Sequence, residues 1–416
     1  MKYEDIKTST DGILIVVFGP SGVGKAEFSA SFERVCKKYL PQRKVQSLDI
    51  GTFLEKSTHI VLGNPPRVQQ EQVSDAIDKM RKLRAQADLT IVRLHASHLC
   101  SGIPVFPLSA KALASLRPDI CLTVFDDVYA SKKALEGAGY PYRYDTLLNW
   151  RIIECGVADH LAAACDDVEN IYLAAKHPAI TAYRLVFHPE IPRLYSASQI
   201  TAVRKNPALR SEIEKHRRWL HKKYTVFDPL TIDDRVLVNS LPGPPRVKNL
   251  RVTADARWPS DLSDLGEDYA SLVAEDYSIF PITVNKREAQ YLNGPLEHSS
   301  YRSPIDTQIR SRDFRYIEQS DVMVAFRPRL NGQESPGVAA EKTYAAGMGM
   351  TPVVEFSPPS DTHGLASKPF STTLLGPACR TKTSFYKELS RVAAKEAERR
   401  CVTKRKYYAR FIAFRD

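Results

Sequence analysis

The feature that most constrains this 416-residue chain is the run Gly19-Pro-Ser-Gly-Val-Gly-Lys25. It lies between an apolar, β-branched stretch, GILIVVF at 12–18, and a helical pattern at Ala26–Tyr39. Glycines at GxxxxGK spacing let successive backbone N–H groups turn inward on an anion, while the lysine reaches the far side of it. Strand, loop and helix in that order predict a phosphate-binding turn made by Gly19, Ser21, Gly22, Val23, Gly24, Lys25 and Ala26. Such loops commonly continue with Ser or Thr, whose hydroxyl helps hold magnesium; here Ala26 and Glu27 follow, which argues for phosphate binding more than for phosphoryl transfer.

The alternation continues. Lys44–Asp49, Leu89–Leu94, Ile120–Phe125 and Asn170–Ala175 read as buried parallel strands, with a charged helix over Gln69–Ala87. A second series follows: Arg193–Ser198, the helix Ala208–Lys223, Thr225–Phe227, Gln308–Glu318, Val322–Phe326, Gly337–Met348 and Pro352–Phe356. The expected fold class is α/β, with two doubly wound parallel-sheet domains, since a chain this long exceeds one ordinary core. The domains are expected at 1–180 and 181–416. The second carries an insertion near 235–305, rich in loop residues, and a basic, helical C-terminal segment, Arg380–Arg415.

The seven cysteines are scattered, with no CxxC pair and no metal-ligand spacing, which reads as reduced thiols and no metal site. The N-terminus has no apolar signal core and no stretch reaches membrane-spanning length, so a cytoplasmic chain without a membrane partner is expected. The formal charge of +11 is met equally well by small polyanionic substrates, by a basic surface or by nucleic acid. The basic runs at Arg204–Lys223 and Arg380–Arg415 read first as solvated helix faces.

The first half, over about 12–175, resembles archaeal-type adenylate kinases and other nucleoside-monophosphate kinases. The resemblance rests on GPSGVGK, on Leu48-Asp-Ile-Gly-Thr-Phe53, on Val92-Arg-Leu-His-Ala96 and on Leu116-Arg-Pro-Asp119 before an apolar strand. It implies ATP or another nucleotide, with Mg2+, at the loop, and a cationic lid in Asp126–Arg151 to which Lys132 and Arg143 contribute. Those two also read as ordinary surface cations. His95 reads as a structural residue at a strand end or as a catalyst.

In the second half one constellation stands out: Asp313, eight residues ahead of Asp321 in SDVMVAF, then Ser335-Pro-Gly337-Val-Ala-Ala-Glu341. A strand running out to a Gly/Pro loop, with a helix behind it, is where sites of open parallel sheets form. Two carboxylates placed together can divide labour, one ionised as nucleophile and the other assisting a leaving group. From spacing alone Glu341 is equally an N-terminal helix glutamate favoured by the helix dipole.

This region, about 190–358, resembles the nucleoside 2-deoxyribosyltransferase superfamily, and within it the nucleoside 5'-monophosphate N-glycosidases. The residues are Leu194-Tyr-Ser-Ala-Ser-Gln-Ile-Thr201, the Asp313 to Asp321 interval and the Ser335–Glu341 element. The first lacks the family's glycine. The resemblance implies Glu341 as nucleophile, Asp313 as a sugar or base contact, and Ser335 and Gly337 around a 5'-phosphate. Ser198, Ile200, Thr201 and Asp228 would complete the substrate site, Asp228 reading equally as a turn residue. It also implies a homodimer, and no cofactor at the glycosidic site. Taken together, the two halves suggest an enzyme that cleaves or exchanges the N-glycosidic bond of a (deoxy)nucleoside 5'-monophosphate, fused to a kinase-like nucleotide-binding domain. The alternatives are a nucleotide-gated defence or regulatory module that depletes nucleotides or a dinucleotide cofactor, and a non-catalytic nucleotide-binding protein.

Overall fold

The structure, a computed structural model, describes residues 12–54, 63–165, 168–199, 207–232, 234, 298–347, 351–361 and 378–416. Ile200, Thr201 and most of the 235–305 insertion lie outside the described residues. The chain divides into two compact units, one reaching to Ala175 and including Phe414–Asp416, the other Lys176–Ala413. The helix Ala179–Phe187, which spans the expected boundary at 180, lies whole within the second unit.

The first unit is built on β1 (Ile13–Phe18), β2 (Val45–Asp49), β3 (Leu89–Arg93), β6 (Ile120–Phe125) and β7 (Glu169–Ala174). They form one sheet in the order β2-β3-β1-β6-β7, every neighbouring pair parallel. All six residues of β1 and of β6 are buried, as expected for strands covered on both faces, and for that reason they are continuous apolar runs rather than alternating ones. The helices are α1 (Lys25–Tyr39), α2 (Pro66–Arg84), α3 (Ala110–Leu116), α4 (Val128–Gly137) and α5 (Tyr144–Ala163); a small hairpin, β4 (His98–Cys100) and β5 (Ile103–Val105), follows β3. The core joins Leu14, Val16 and Phe18 of β1 to Ile77 and Met80 of α2 and to Leu161 of α5. Chain from β1 leaves toward β2 and chain from β6 leaves toward β7, so the carboxyl ends of β1 and β6 open a crevice at the switch point.

The second unit opens with α6 (Ala179–Phe187) and carries β8 (Arg193–Ser198), β9 (Thr225–Phe227), β10 (Val322–Phe326), β13 (Val353–Phe356) and β14 (Ala378–Cys379) in one parallel sheet, ordered β14-β13-β10-β8-β9. Counted in chain order this is 2-1-3-4-5, whose switch point falls between β8 and β10. Around it lie α7 (Pro207–Lys223), α8 (His298–Glu318), α9 (Pro336–Gly347), α10 (Lys382–Thr403) and α11 (Arg405–Arg415), with a short hairpin of β11 (Arg329–Leu330) and β12 (Gln333–Glu334). The basic run on α10 is more than a solvated face. Phe385, Leu389, Ala393 and Ala397 recur every fourth residue and are buried, the first three in the core beneath β10 and β13. Arg400 on the same helix donates to both oxygens of Asp321, at 2.7 and 3.0 Å, and Asp321 also accepts the Arg193 N–H at 2.7 Å. Asp321 therefore anchors the start of β10 rather than serving a site.

Candidate functional site

At the exit of β1 the glycine run forms a tight turn that leads directly into α1. Gly19 and Gly22 have φ of 148° and 83°, and Gly24, at φ 75°, is the left-handed residue immediately before α1. A Cβ on Gly22 would stand 2.8 Å from the Ser131 carbonyl of α4, and one on Gly19 would stand 2.1 Å from that of Val124, so both backbone shape and space demand glycine. Val23 is buried beneath the loop, while Ala26 and Glu27 are exposed on the first turn of α1.

Lys25 is 9% exposed and folds back on its own loop. Its Nζ lies on the carbonyl of Gly19, 3.2 Å from that of Pro20, and 3.0 and 3.2 Å from the two ring nitrogens of His95. Burial lowers its pKa to about 7, against the partial opposition of Glu154 and Asp49. Burial, then the charge of Lys25, holds His95 well below its ordinary value, so the imidazole is neutral and can accept a hydrogen bond. His95 is thus part of the loop's environment and not simply a strand-end residue.

The fully buried Glu154 of α5 was not singled out by sequence. One of its oxygens accepts the N–H groups of Gly19 (3.1 Å) and Ala96 (2.9 Å), and the other accepts the N–H and hydroxyl of Ser97, both at 2.6 Å. A single carboxylate thereby ties the start of the glycine loop to the segment carrying His95. Burial raises its pKa, and the Lys25 charge and these hydrogen bonds oppose the rise.

The matches Leu48–Phe53 and Val92–Ala96 come together, because Asp49 and Arg93 are register partners at the carboxyl ends of β2 and β3, joined at 2.9 Å. The expected lid region folds as α4 and the first turns of α5. Lys132 is engaged there by Glu136 at 2.7 Å and the Tyr142 carbonyl at 2.8 Å. Arg143 lies exposed beside Asp145 at 3.3 Å. Arg151, which is buried, holds the Asp126 carbonyl at the end of β6.

In the second unit, Asp313 on α8, Glu341 on α9 and Tyr195 on the interior strand β8 converge. Burial, then the neighbouring charge of Asp313, pushes the Glu341 carboxyl well above its ordinary range, with Tyr195 and Arg312 opposing. Glu341 keeps part of its surface open to solvent although its carboxyl is deeply enclosed. Tyr195 is fully buried; its hydroxyl faces Glu341 without closing a hydrogen bond of ordinary geometry. Arg312 donates from Nε (2.9 Å) and Nη2 (2.7 Å) to one oxygen of Asp313, and from Nη1 to the Ile232 carbonyl at 3.0 Å. Burial alone would lower the guanidinium pKa, yet the adjacent Asp313 outweighs it and the net shift is upward. The charge distribution differs from a simple nucleophile-and-acid pair: Asp313 is matched by a cation, while burial and the Asp313 charge favour the protonated form of Glu341. Neither Tyr195 nor Arg312 was assigned from sequence.

The segment leading into α9 is fixed by a buried ring of alternating charge. Arg329 and Lys342, each 1% exposed, both pair with Glu355 and with Glu334, the latter at 3.2 and 2.9 Å, and the Ser357 hydroxyl donates to Glu355 at 2.6 Å. Although burial opposes it, Lys342 and the other partners hold Glu355 below its ordinary value. Gln199, just past Ser198, donates to the carbonyls of Pro328 and Gln333, the latter at 2.9 Å, and so ties the end of β8 to the β11–β12 hairpin. Ser335 and Gly337 sit at the junction of hairpin and helix, the Ser335 N–H donating to Pro328 at 3.1 Å. Asp228, at the end of β9, is enclosed by Arg217 (2.7 Å from Nε) and His221 (3.6 Å), and its N–H donates to His177 at 3.2 Å.

No family description matches the chain, and no curated protein sequence does. Among solved structures, a shikimate kinase from Acinetobacter baumannii in complex with shikimate is similar at 12% identity and a TM-score of 0.28, over 42% of this chain and 93% of that one. A GTPase in its apo form from Pyrococcus abyssi is similar at 11% identity and a TM-score of 0.19, over 39% of this chain and 91% of that one. At such scores no shared activity follows, and what stands is the α/β architecture with its glycine loop between β1 and α1.

Proposed function

We propose that the chain is a nucleotide-metabolising enzyme. In this reading the second unit breaks the N-glycosidic bond of a (deoxy)nucleoside 5'-monophosphate, and the first binds ATP or a related nucleotide with Mg2+ at Gly19–Lys25. The observation that carries the first statement is the convergence of Glu341, Asp313 and Tyr195 beside the switch point between β8 and β10. A carboxylate on the anomeric carbon displaces the base: the C1'–N bond breaks, its electrons leave with the base, and a glycosyl ester forms that water or a second base then resolves. Glu341 is the residue for that attack. Asp313, matched by Arg312, suits the acceptance of a hydrogen bond from a sugar hydroxyl. Ser335 and the first-turn N–H groups of α9, which have no intrahelical partner, suit a 5'-phosphate.

The test is incubation of the chain with a panel of ribo- and deoxynucleoside 5'-monophosphates and the matching nucleosides, with free base followed by chromatography. Base release from at least one monophosphate, at least tenfold slower from its nucleoside, is expected; release from none of them contradicts the reading.

A further inference from the structure

We propose that His95 is the resting partner of the loop lysine, and that a nucleotide phosphate displaces it with uptake of a proton; this rests on reading Gly19–Lys25 as a nucleotide-phosphate site. In the free protein the Lys25 ammonium position is filled by neutral acceptors only: two loop carbonyls and the edge of the His95 ring. Among the described residues no carboxylate reaches ion-pair distance of Lys25. The nearest buried one, Glu154, is occupied by the donors of Gly19, Ala96 and Ser97.

His95 is itself held in place. Ala96 and Ser97, the next two residues, are pinned by Glu154, and the His95 ring stacks at a tilt on His98, centroids 4.2 Å apart. The titratable and charged groups facing the pair are Glu154 from α5, Asp49 from the end of β2, Arg93 from the end of β3 and His98 from β4. The lysine is thus buried against a neutral ring, with carboxylates acting on it only at longer range.

A phosphate replaces that neutral acceptor with multiple negative charge, which selects the ammonium form. With a resting value of about 7, binding at pH 8 takes up about 0.9 of a proton, and affinity falls toward about tenfold per pH unit above 7. His95 is a positioning residue, setting where Lys25 rests and which charge state it holds there.

The experiment is calorimetric titration of the full chain with MgATP, whose phosphates do not titrate at pH 8, in two buffers of different ionisation enthalpy. Dissociation constants at pH 7, 8 and 9 complete it. Wild type is expected to show the uptake and the pH slope. His95→Ala, which admits water to the lysine, should lose more than half of the uptake and bind at least about tenfold more tightly at pH 9. His95→Gln, which keeps an acceptor and most of the volume, should retain the uptake. Equal heats in the two buffers despite binding, or the same uptake in His95→Ala as in wild type, would overturn the proposal. Absence of MgATP binding by wild type and Lys25→Ala alike would instead remove the phosphate-site reading itself, and the proposal with it.

Discussion

Lys25 and Glu341 are both ionisable groups largely withdrawn from water, and in each the surroundings favour the uncharged form more than free solution does. For Glu341 this yields a kinetic prediction. A nucleophile must be ionised, and its carboxyl sits well above the ordinary carboxylate range, so activity should fall as pH drops through that raised value. The acid limb of kcat/KM is therefore expected clearly above pH 4.5, and a profile flat down to pH 4.5 would show that Glu341 is not the attacking group. Tyr195→Phe removes an interaction that lowers the Glu341 pKa, and should move the limb further up.

At the scale of elements, β1, β6 and β10 were legible as short apolar runs, and α1 and α7 as periodic ones, because both periodicities survive in the linear sequence. Glu341 and Asp313 were singled out through a family resemblance, since from spacing alone Glu341 reads equally as a first-turn helix glutamate. Glu154 was not: it meets Gly19 across 135 residues, and nothing local distinguishes it from other helix glutamates. Tyr195 and Arg312 were hidden for the same reason, each resembling an ordinary strand or helix residue until α8 and α9 close over β8. The β11–β12 hairpin was unreadable because its shape rests on Arg329 and Glu334 pairing with residues of β13 and α9. Helix α10 shows how a basic run can conceal a core stripe. Leu389→Ala should destabilise the second unit by about 2–5 kcal/mol, as a buried large-to-small change does, and urea denaturation will measure it. A loss below about 0.5 kcal/mol would mean that the helix is not packed on the sheet.

At the scale of the whole molecule, the second unit buries histidines that it must keep neutral. His216 stacks on Phe326, ring centroids 3.9 Å apart, and burial lowers its pKa to about 3; His221 is lowered also, by burial first and despite Asp228. With a folded value below the unfolded one, the unfolded chain binds protons first as pH falls below about 6.5. Stability is therefore intact above that pH and declines through His216 by up to about 1.4 kcal/mol per unit toward pH 3, with His221 acting in the same direction. Denaturant midpoints at pH 7.5, 5.5 and 4.5 should fall in that order, less steeply in His216→Gln; a level series would contradict the burial of a neutral ring.

The same unit carries the central claim, that Glu341 breaks a nucleotide's bond to its base. The most direct measurement is the initial rate of base release from the best monophosphate substrate by wild type and by Glu341→Gln, with the substituted chain shown to bind that substrate still. Loss of at least about a thousandfold in kcat with binding retained is the predicted result. A Glu341→Gln chain that releases base at the wild-type rate would contradict it.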